Sequence, residues 1–309
     1  MGSSRAIRTA AWAVVAAGVA APLLRRRLRV SAPVVAATTA AAPFGLCVAR
    51  PRTPARDVVT VCLQMWAYLA AYQMPNDDPE RLRERVRVDY PVAIDRVLGA
   101  GTIPTVRLQR LLARRGRISA FDKPLIWAHW LWFITPHAAI AYILAFRRGR
   151  FERSAAHMYS VFDLGLIVYW ALPTAPPWYA AEQGRLGGEH PDELRRMMYE
   201  YGEEFWKEGW KPLYSVLGGN PLAAMPSLHF ATSVMGARLL SDAGRVEGAV
   251  GWTYAAMLGL ALVYLGEHYL IDLLAGLALT EGVRRCAPQA APVFAAVSRA
   301  VQALETKAR

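Results

Sequence analysis

Three side chains are best placed to do chemistry: His268 and Asp272, four residues apart, and His229, two residues after Ser227. The first pair lies in Gly266-Glu-His-Tyr-Leu-Ile-Asp272-Leu-Leu-Ala-Gly276. A spacing of four puts both on one helix face, so the carboxylate can accept the second N–H of the imidazole. Such a partner fixes the tautomer and leaves the other ring nitrogen free to attack, the orienting part an aspartate plays in catalytic triads. His229 belongs to Asn220-Pro-Leu-Ala-Ala-Met-Pro-Ser-Leu-His-Phe230, directly before an apolar run. Proline and small polar residues at a helix start make an N-terminus whose free N–H groups and positive dipole end attract a phosphate. A carboxylate at the centre of a bilayer costs about 2.5–3.5 kcal/mol on insertion scales, so Asp272 is expected to face a bundle interior and to have a partner.

Bland readings compete with this one. His129, His137 and His157, near the ends of apolar runs, read as hydrogen-bonded interfacial residues. Intramembrane His and Asp also build proton relays in transporters, so a non-enzymatic transporter or scaffold is an alternative. The pairing of the two motifs favours catalysis: one intervening span returns the chain, which puts both histidines on the same membrane face.

Positioning these residues requires membrane helices. The chain has 309 residues, 54% of them hydrophobic, with a mean hydropathy of +0.18. That is too apolar for an ordinary soluble protein and too charged for a bare bundle, which suits a membrane domain with sizeable polar loops. Runs of about 20 apolar residues give eight candidate spans, roughly 9–24, 31–49, 57–74, 125–146, 157–175, 226–240, 248–266 and 268–284. The first could be a cleavable signal, but the apolar run straight after it favours an anchored hairpin. Two long polar segments, 76–124 and 176–222, interrupt the series. In the first, Tyr90, Val92, Ile94, Val97 and Leu98, then Val106, Leu108, Leu111 and Leu112, recur at helical intervals beside arginine, as in interfacial amphipathic helices. The expected organisation is an N-terminal transmembrane accessory segment over 1–75, a catalytic membrane domain over 76–285 and a cytoplasmic C-terminal tail over 286–309.

The formal net charge is +12, and 32 of the 36 basic residues are arginine, the bias of a GC-rich bacterial genome. Because the arginines cluster beside apolar runs, as in 25–29 and 147–153, anionic lipid headgroups rather than nucleic acid are the expected partners. Cys47, Cys62 and Cys286 show no C-x-x-C spacing, so neither a disulfide framework nor a thiolate metal site is indicated.

The two histidine segments resemble the second and third motifs of the type 2 phosphatidic acid phosphatase superfamily, the lipid phosphate phosphatases. They are most similar to its inositolphosphotransferase branch, which includes the inositol phosphorylceramide synthases. That branch tends to have Pro-Ser-Leu-His where the phosphatases have Pro-Ser-Gly-His, and His-Tyr followed by a spaced Asp, as at His268, Tyr269 and Asp272. Pro176-Pro-Trp-Tyr179 and Tyr90-Pro-Val-Ala-Ile-Asp95 also look like segments of it, so the similarity runs from about 88 to 284. The resemblance implies an all-α polytopic bundle with a six-helix core, and a site at one membrane face. In it His268 attacks phosphorus and becomes a phosphohistidine, Asp272 orients it, and His229 protonates the leaving oxygen and later deprotonates the acceptor. No metal or other cofactor is implied. Phosphoryl transfer needs an in-line nucleophile, a proton donor and stabilised equatorial oxygens, which agrees.

Departures from the family pattern leave the phosphate-clamping cations unassigned. The Lys-x6-Arg-Pro motif is absent, since Pro43 stands where lysine should precede Arg50-Pro51, and Ala261-Leu262 replace the Ser-Arg ahead of the nucleophile. Lys123, Lys207 and Lys211, three of the four lysines, fall in the two polar segments and are candidates, beside Ser227, Tyr179 and Asp95 as substrate-binding residues. Trp178, Trp206 and Trp210 read as interfacial belt residues. Water as acceptor makes a phosphatase; a lipid or sugar alcohol makes a transferase. The Ser-Leu-His and Pro-Pro-Trp-Tyr variants favour transfer from an amphiphilic donor such as phosphatidylinositol or a polyprenyl-linked phosphate.

Local charge points both ways on orientation. The segment 147–153 holds four Arg and one Glu, as a cytoplasmic loop does, and 176–222 holds five basic against eight acidic residues, as an outer one does. The eleven basic residues of 76–124 point the other way. The resemblance implies an extracytoplasmic site, and 76–124 reads as interfacial.

Overall fold

The computed structural model describes residues 2–114, 116–186, 194–217 and 219–309. Among these residues the secondary structure is helical, with two isolated β-bridges and no strand. They form two compact units, Met1–Asp77 with Cys286–Arg309, and Asp78–Arg285.

The first unit contains α1 (Gly2–Leu28), α2 (Ala32–Ala49) and α3 (Pro54–Gln73). Small residues let these backbones approach: a Cβ on Gly18 would lie 2.6 Å from Ala42 Cβ, and one on Gly45 would lie 2.9 Å from the Ala11 carbonyl. Pro54 and the Thr53 cap, whose hydroxyl accepts from Arg56 N–H at 3.1 Å, fix where α3 starts. The last turns of α15 (Leu270–Ala308) also belong here. Ser4 Oγ donates to the Ala308 carbonyl at 3.2 Å and Arg56 pairs with Glu305 at 3.6 Å, so the end of α15 lies beside the starts of α1 and α3.

In the second unit the long elements are α7 (Asp122–Leu131), α8 (Thr135–Phe146), α9 (Phe151–Ala171), α13 (Leu228–Ala243), α14 (Arg245–Tyr264) and the first half of α15. Shorter helices fill the two polar segments: α4 (Pro79–Arg85), α5 (Asp89–Leu98), α6 (Pro104–Leu112), α10 (Pro177–Glu182), α11 (Met197–Trp206) and α12 (Trp210–Leu217). Val92 and Val106 turn inward from α5 and α6, whereas Val97 and Leu111 stay exposed on their outer sides, as suits helices lying in an interface.

All eight expected spans are helical, but they are not alike. Among the described residues three helices are long and apolar enough by themselves to cross a membrane: Ser4–Leu28, Ala32–Ala49 and Arg245–Tyr264. The expected span over 125–146 is two helices, α7 and α8, bent by 58°. Pro136 explains the break, because its missing N–H leaves the preceding turn without a hydrogen bond. Elsewhere, α13 has only 16 residues, and α3 and α9 open with charged turns, Arg56-Asp57 and Glu152-Arg153.

A buried threonine joins the segments beneath the site. Thr174 forms parallel bridges with Arg87 and Ala223. Its N–H donates to the Leu222 carbonyl at 3.1 Å and its carbonyl accepts from Ala224 N–H at 2.9 Å. Its hydroxyl lies 2.8 Å from Tyr90 Oη. On the other side, α15 crosses α13 at Gly276, where a Cβ would lie 2.7 Å from the Ser227 carbonyl. That oxygen is backbone and cannot yield. Nearby, Thr280 Oγ1 donates to the Ala231 carbonyl at 2.9 Å.

Asp95 of α5 caps α15 from outside the membrane-spanning helices: its two oxygens accept from Leu270 N–H at 2.9 Å and Ile271 N–H at 2.8 Å. The carboxylate is fully buried, and that burial pushes its pKa up to about 6 despite the two donors.

Two outcomes follow from these contacts. Gly276→Ala should cost about 1–3 kcal/mol through overpacking, read as a lower thermal midpoint of the detergent-solubilised protein; an unchanged midpoint would contradict the tight crossing. With a pKa raised on folding, Asp95 binds more protons in the native than in the unfolded state between pH 4 and 6. Stability should therefore fall as pH rises through that window, and Asp95→Asn should remove that part of the slope while weakening the cap. Identical slopes in the two proteins would show that Asp95 is not the titrating group.

Candidate active site

The Asn220–Phe230 segment turns into α13 under several local constraints. Asn220 Oδ1 accepts from Leu222 N–H at 3.2 Å, and Ser227 Oγ caps the helix by accepting from Phe230 N–H at 3.3 Å. From α9, Tyr169 Oη donates to the Pro226 carbonyl at 2.8 Å and accepts from Leu228 N–H at 3.3 Å. The second motif begins where α14 ends: Gly266, at φ +86°, takes the left-handed conformation that turns the chain. One backbone bond then joins the motifs, from Ser227 N–H to the Asp272 carbonyl at 2.9 Å.

This framework brings His229, His268 and Asp272 together. Asp272 Oδ2 lies 3.2 Å from His268 Nδ1 and also accepts from Tyr269 N–H at 3.0 Å. His268 Nε2 is 3.3 Å from His229 Nδ1. A carboxylate at Nδ1 requires the proton there, which leaves the Nε2 lone pair directed toward His229. His229 Nδ1 is then the donor of that contact. Asp272 is fully buried and His268 is 5% exposed, so bulk water competes little for either group.

The other expected site residues are placed differently. Ser227 and Asp95, read as substrate-binding, direct their side-chain oxygens to the backbones of α13 and α15. Ser227 Oγ and both Asp95 oxygens thus accept from helix-start N–H groups and help to hold α13 and α15 in place. Tyr179 is half-buried against Trp178 and packs on the cluster around Tyr269. Lys123 Nζ lies 5.5 Å from the centre of the Tyr201 ring, and Lys207 and Lys211 are exposed. Among the described residues no contact ties these lysines to the histidines. Trp210, expected in an interfacial belt, is instead core, 2% exposed beneath Gly202, where a Cβ would meet its ring.

Residues not singled out from sequence surround the histidines. Arg196 stacks 3.8 Å from the centre of the Trp178 ring, pairs with Glu267 at 3.3 Å and donates to Tyr214 Oη. Gln109 holds this segment against the end of α14: its amide N–H donates to the Arg195 and Tyr264 carbonyls and its carbonyl accepts from Arg195 N–H, each at 2.8 Å. Arg196 is thereby linked to the residue immediately before His268. The only hint in the sequence was an Arg-Arg pair within an acidic segment.

His129 departs from the bland reading given to lone histidines. Its ring stacks on that of His229, with centres 4.9 Å apart, and Trp132 contacts the same ring at 4.0 Å. His157 follows the bland reading through its Nδ1 and the Arg153 carbonyl at 2.7 Å, and His137 stacks on Phe162.

Residues 94–283 match the family model of the PAP2 superfamily. The inositol phosphorylceramide synthase of Candida albicans is 28% identical over 154 residues, which cover 48% of this chain and 32% of that protein. The inositol phosphorylceramide synthase catalytic subunit aur1 of Schizosaccharomyces pombe is 28% identical over 120 residues, 37% of this chain and 27% of the relative. The match thus spans about a third or less of each relative's length. No solved structure matches the chain. Since the family match takes in more than half of the sequence, from within α5 through both histidine segments, this protein belongs to the PAP2 superfamily.

Proposed function

We propose that the protein is an integral-membrane phosphotransferase that passes a phosphoryl group or phospho-headgroup from a lipid donor to an alcohol acceptor through a phosphohistidine. The observation that carries this reading is the row Asp272 Oδ2, His268 Nδ1, His268 Nε2, His229 Nδ1, with separations of 3.2 and 3.3 Å across its two polar contacts.

In the first step the His268 Nε2 lone pair forms a bond to phosphorus as the bond to the donor's oxygen breaks, and the departing oxygen takes a proton from His229. Asp272 stays on Nδ1–H and balances the positive charge that grows on the ring. In the second step the acceptor's hydroxyl oxygen bonds to phosphorus, the N–P bond breaks and the hydroxyl proton goes to His229. For this to happen the two facing nitrogens must part, because the near-attack distance to phosphorus alone takes up about 3–3.5 Å. Arg196 is the cation best placed by its link to Glu267 to adjust to a phosphate. The site requires no metal in this scheme.

Both relatives are named as inositol phosphorylceramide synthases, which favours headgroup transfer from a donor such as phosphatidylinositol. A polyprenyl-linked phosphate as donor, and a lipid or sugar alcohol as acceptor, fit the same chemistry. Water in place of the alcohol would make the same site a lipid phosphate phosphatase. We assign catalysis to 76–285, an accessory role to 1–75 and a cytoplasmic position to 286–309 in a bacterial cell membrane, with the site on the extracytoplasmic side. The contacts of the α15 end with the starts of α1 and α3 support an even number of crossings.

The deciding experiment gives purified protein labelled lipid phosphates with and without acceptor lipids. Transfer is expected, free phosphate would favour the phosphatase, and no turnover on any donor would end the proposal. His268→Ala should abolish both turnover and acid-labile phosphoprotein. Asp272→Asn should lower kcat by about 10²–10⁴-fold, the range seen when a histidine loses its orienting carboxylate or its proton-transfer role. His229→Ala should be crippled on an alkyl phosphate but much less so on p-nitrophenyl phosphate, whose leaving group needs no proton; equal losses on both would remove His229 as the acid.

A further inference from the structure

One buried titratable group next to the histidine pair has no part in the mechanism above. His129 is 5% exposed, and its Nδ1 has no hydrogen-bond partner among the described residues. Its contact is a ring face: the imidazoles of His129 and His229 are 4.9 Å apart at 23°, close to parallel. Three residues on, at the end of α7, Trp132 touches the same His229 ring at 4.0 Å. Trp132 is itself anchored to α13, its Nε1–H donating to Thr232 Oγ1 at 2.8 Å. The end of α7 thus supplies two aromatic rings to one imidazole.

His229 alternates between imidazole and imidazolium in the proposed cycle, and its half-buried ring is only partly open to water. An aromatic face can stabilise the cation in part, because its π electrons attract a nearby positive charge. We propose that His129 is a positioning residue for proton transfer, its neutral ring stacking with Trp132 on His229 to steady the imidazolium that protonates the leaving oxygen. This rests on the phosphoryl-transfer reading above.

The role requires His129 to stay uncharged, and its surroundings allow that. The charged and titratable groups around it are His229 from α13, Glu267 and His268 from the α14–α15 turn, and Arg196 from the segment before α11. Glu267 is already paired with Arg196, and Arg196 and any cationic His229 both oppose a further positive charge. Its Nδ1 holds no described partner, and the contact that His129 makes with His229 is a stack of rings. Phenylalanine should therefore replace it and leucine should not.

The test uses the full chain in micelles with ¹⁵N-labelled histidine and follows the His229 titration by NMR, together with kcat and KM. In His129→Leu the His229 titration should move down by about one pH unit and kcat should fall by about tenfold, a change between those of an exposed and a desolvated cation–π contact. KM should stay within about twofold in the same variant, an expectation for a group that acts on proton transfer alone. His129→Phe should keep the wild-type titration and rate. An unmoved His229 titration in His129→Leu, or a loss in His129→Phe as large as in His129→Leu, would overturn the proposal. Should the leucine variant fail to fold, the phenylalanine variant decides: retention of the wild-type titration supports the stack, and a downward shift overturns it. The titration needs no substrate, so failure to turn over any lipid phosphate would sink the functional reading and leave the stacking result standing.

Discussion

Asp272 is the residue on which the site depends. Its side chain takes the Nδ1–H of His268 and the N–H of Tyr269, and its carbonyl takes the N–H of Ser227. The first bond sets the tautomer of the nucleophile candidate, the second closes the turn that begins α15, and the third fixes α15 against the start of α13. Leaving a buried acceptor without its donor costs about 1–3 kcal/mol, and more when the acceptor is charged. The need to satisfy this group therefore works in the same direction as the chemistry.

The supports around it follow from the same polar constraint. Helix starts expose N–H groups that must find acceptors when water is scarce. The α13 start uses Ser227, and the α15 start uses Asp272 together with Asp95 from α5. Asp95 reaches the start of α15 from the polar segment before the bundle, so that segment is part of the frame around the candidate site.

How far the sequence revealed this depended on the distance over which each contact acts. His268 and Asp272 were legible as a pair because helical periodicity alone brings residues four apart together, and Ser227 stood out at a helix start. The convergence of His229 on His268 could be argued from one intervening span. Contacts between distant segments left no such trace. His129 is 100 residues from the ring it stacks on, and a lone histidine near a span end carries no sign of that. Lysine stands out in the sequence because it is rare here, whereas nothing local marks Arg196, which lies at Glu267 beside a backbone that Gln109 grips at Arg195. Ser227 and Asp95 were visible as polar residues near the motifs, but the backbone groups that they cap were not. The bend between α7 and α8 followed from Pro136, which a hydropathy reading passes over.

Thr174 gives the architecture a mechanical character. Its neighbours exchange four backbone hydrogen bonds: Arg87 to Pro173, Ala175 to Arg87, Thr174 to Leu222, and Ala224 to Thr174. The strip of chain ahead of α5, the exit of α9 and the loop leading to His229 are therefore stitched into one seam. Unlike a free-swinging loop, the Leu222–Ala224 stretch ahead of His229 cannot shift alone without breaking these bonds; it travels with the chain on either side of the seam, or the seam tears.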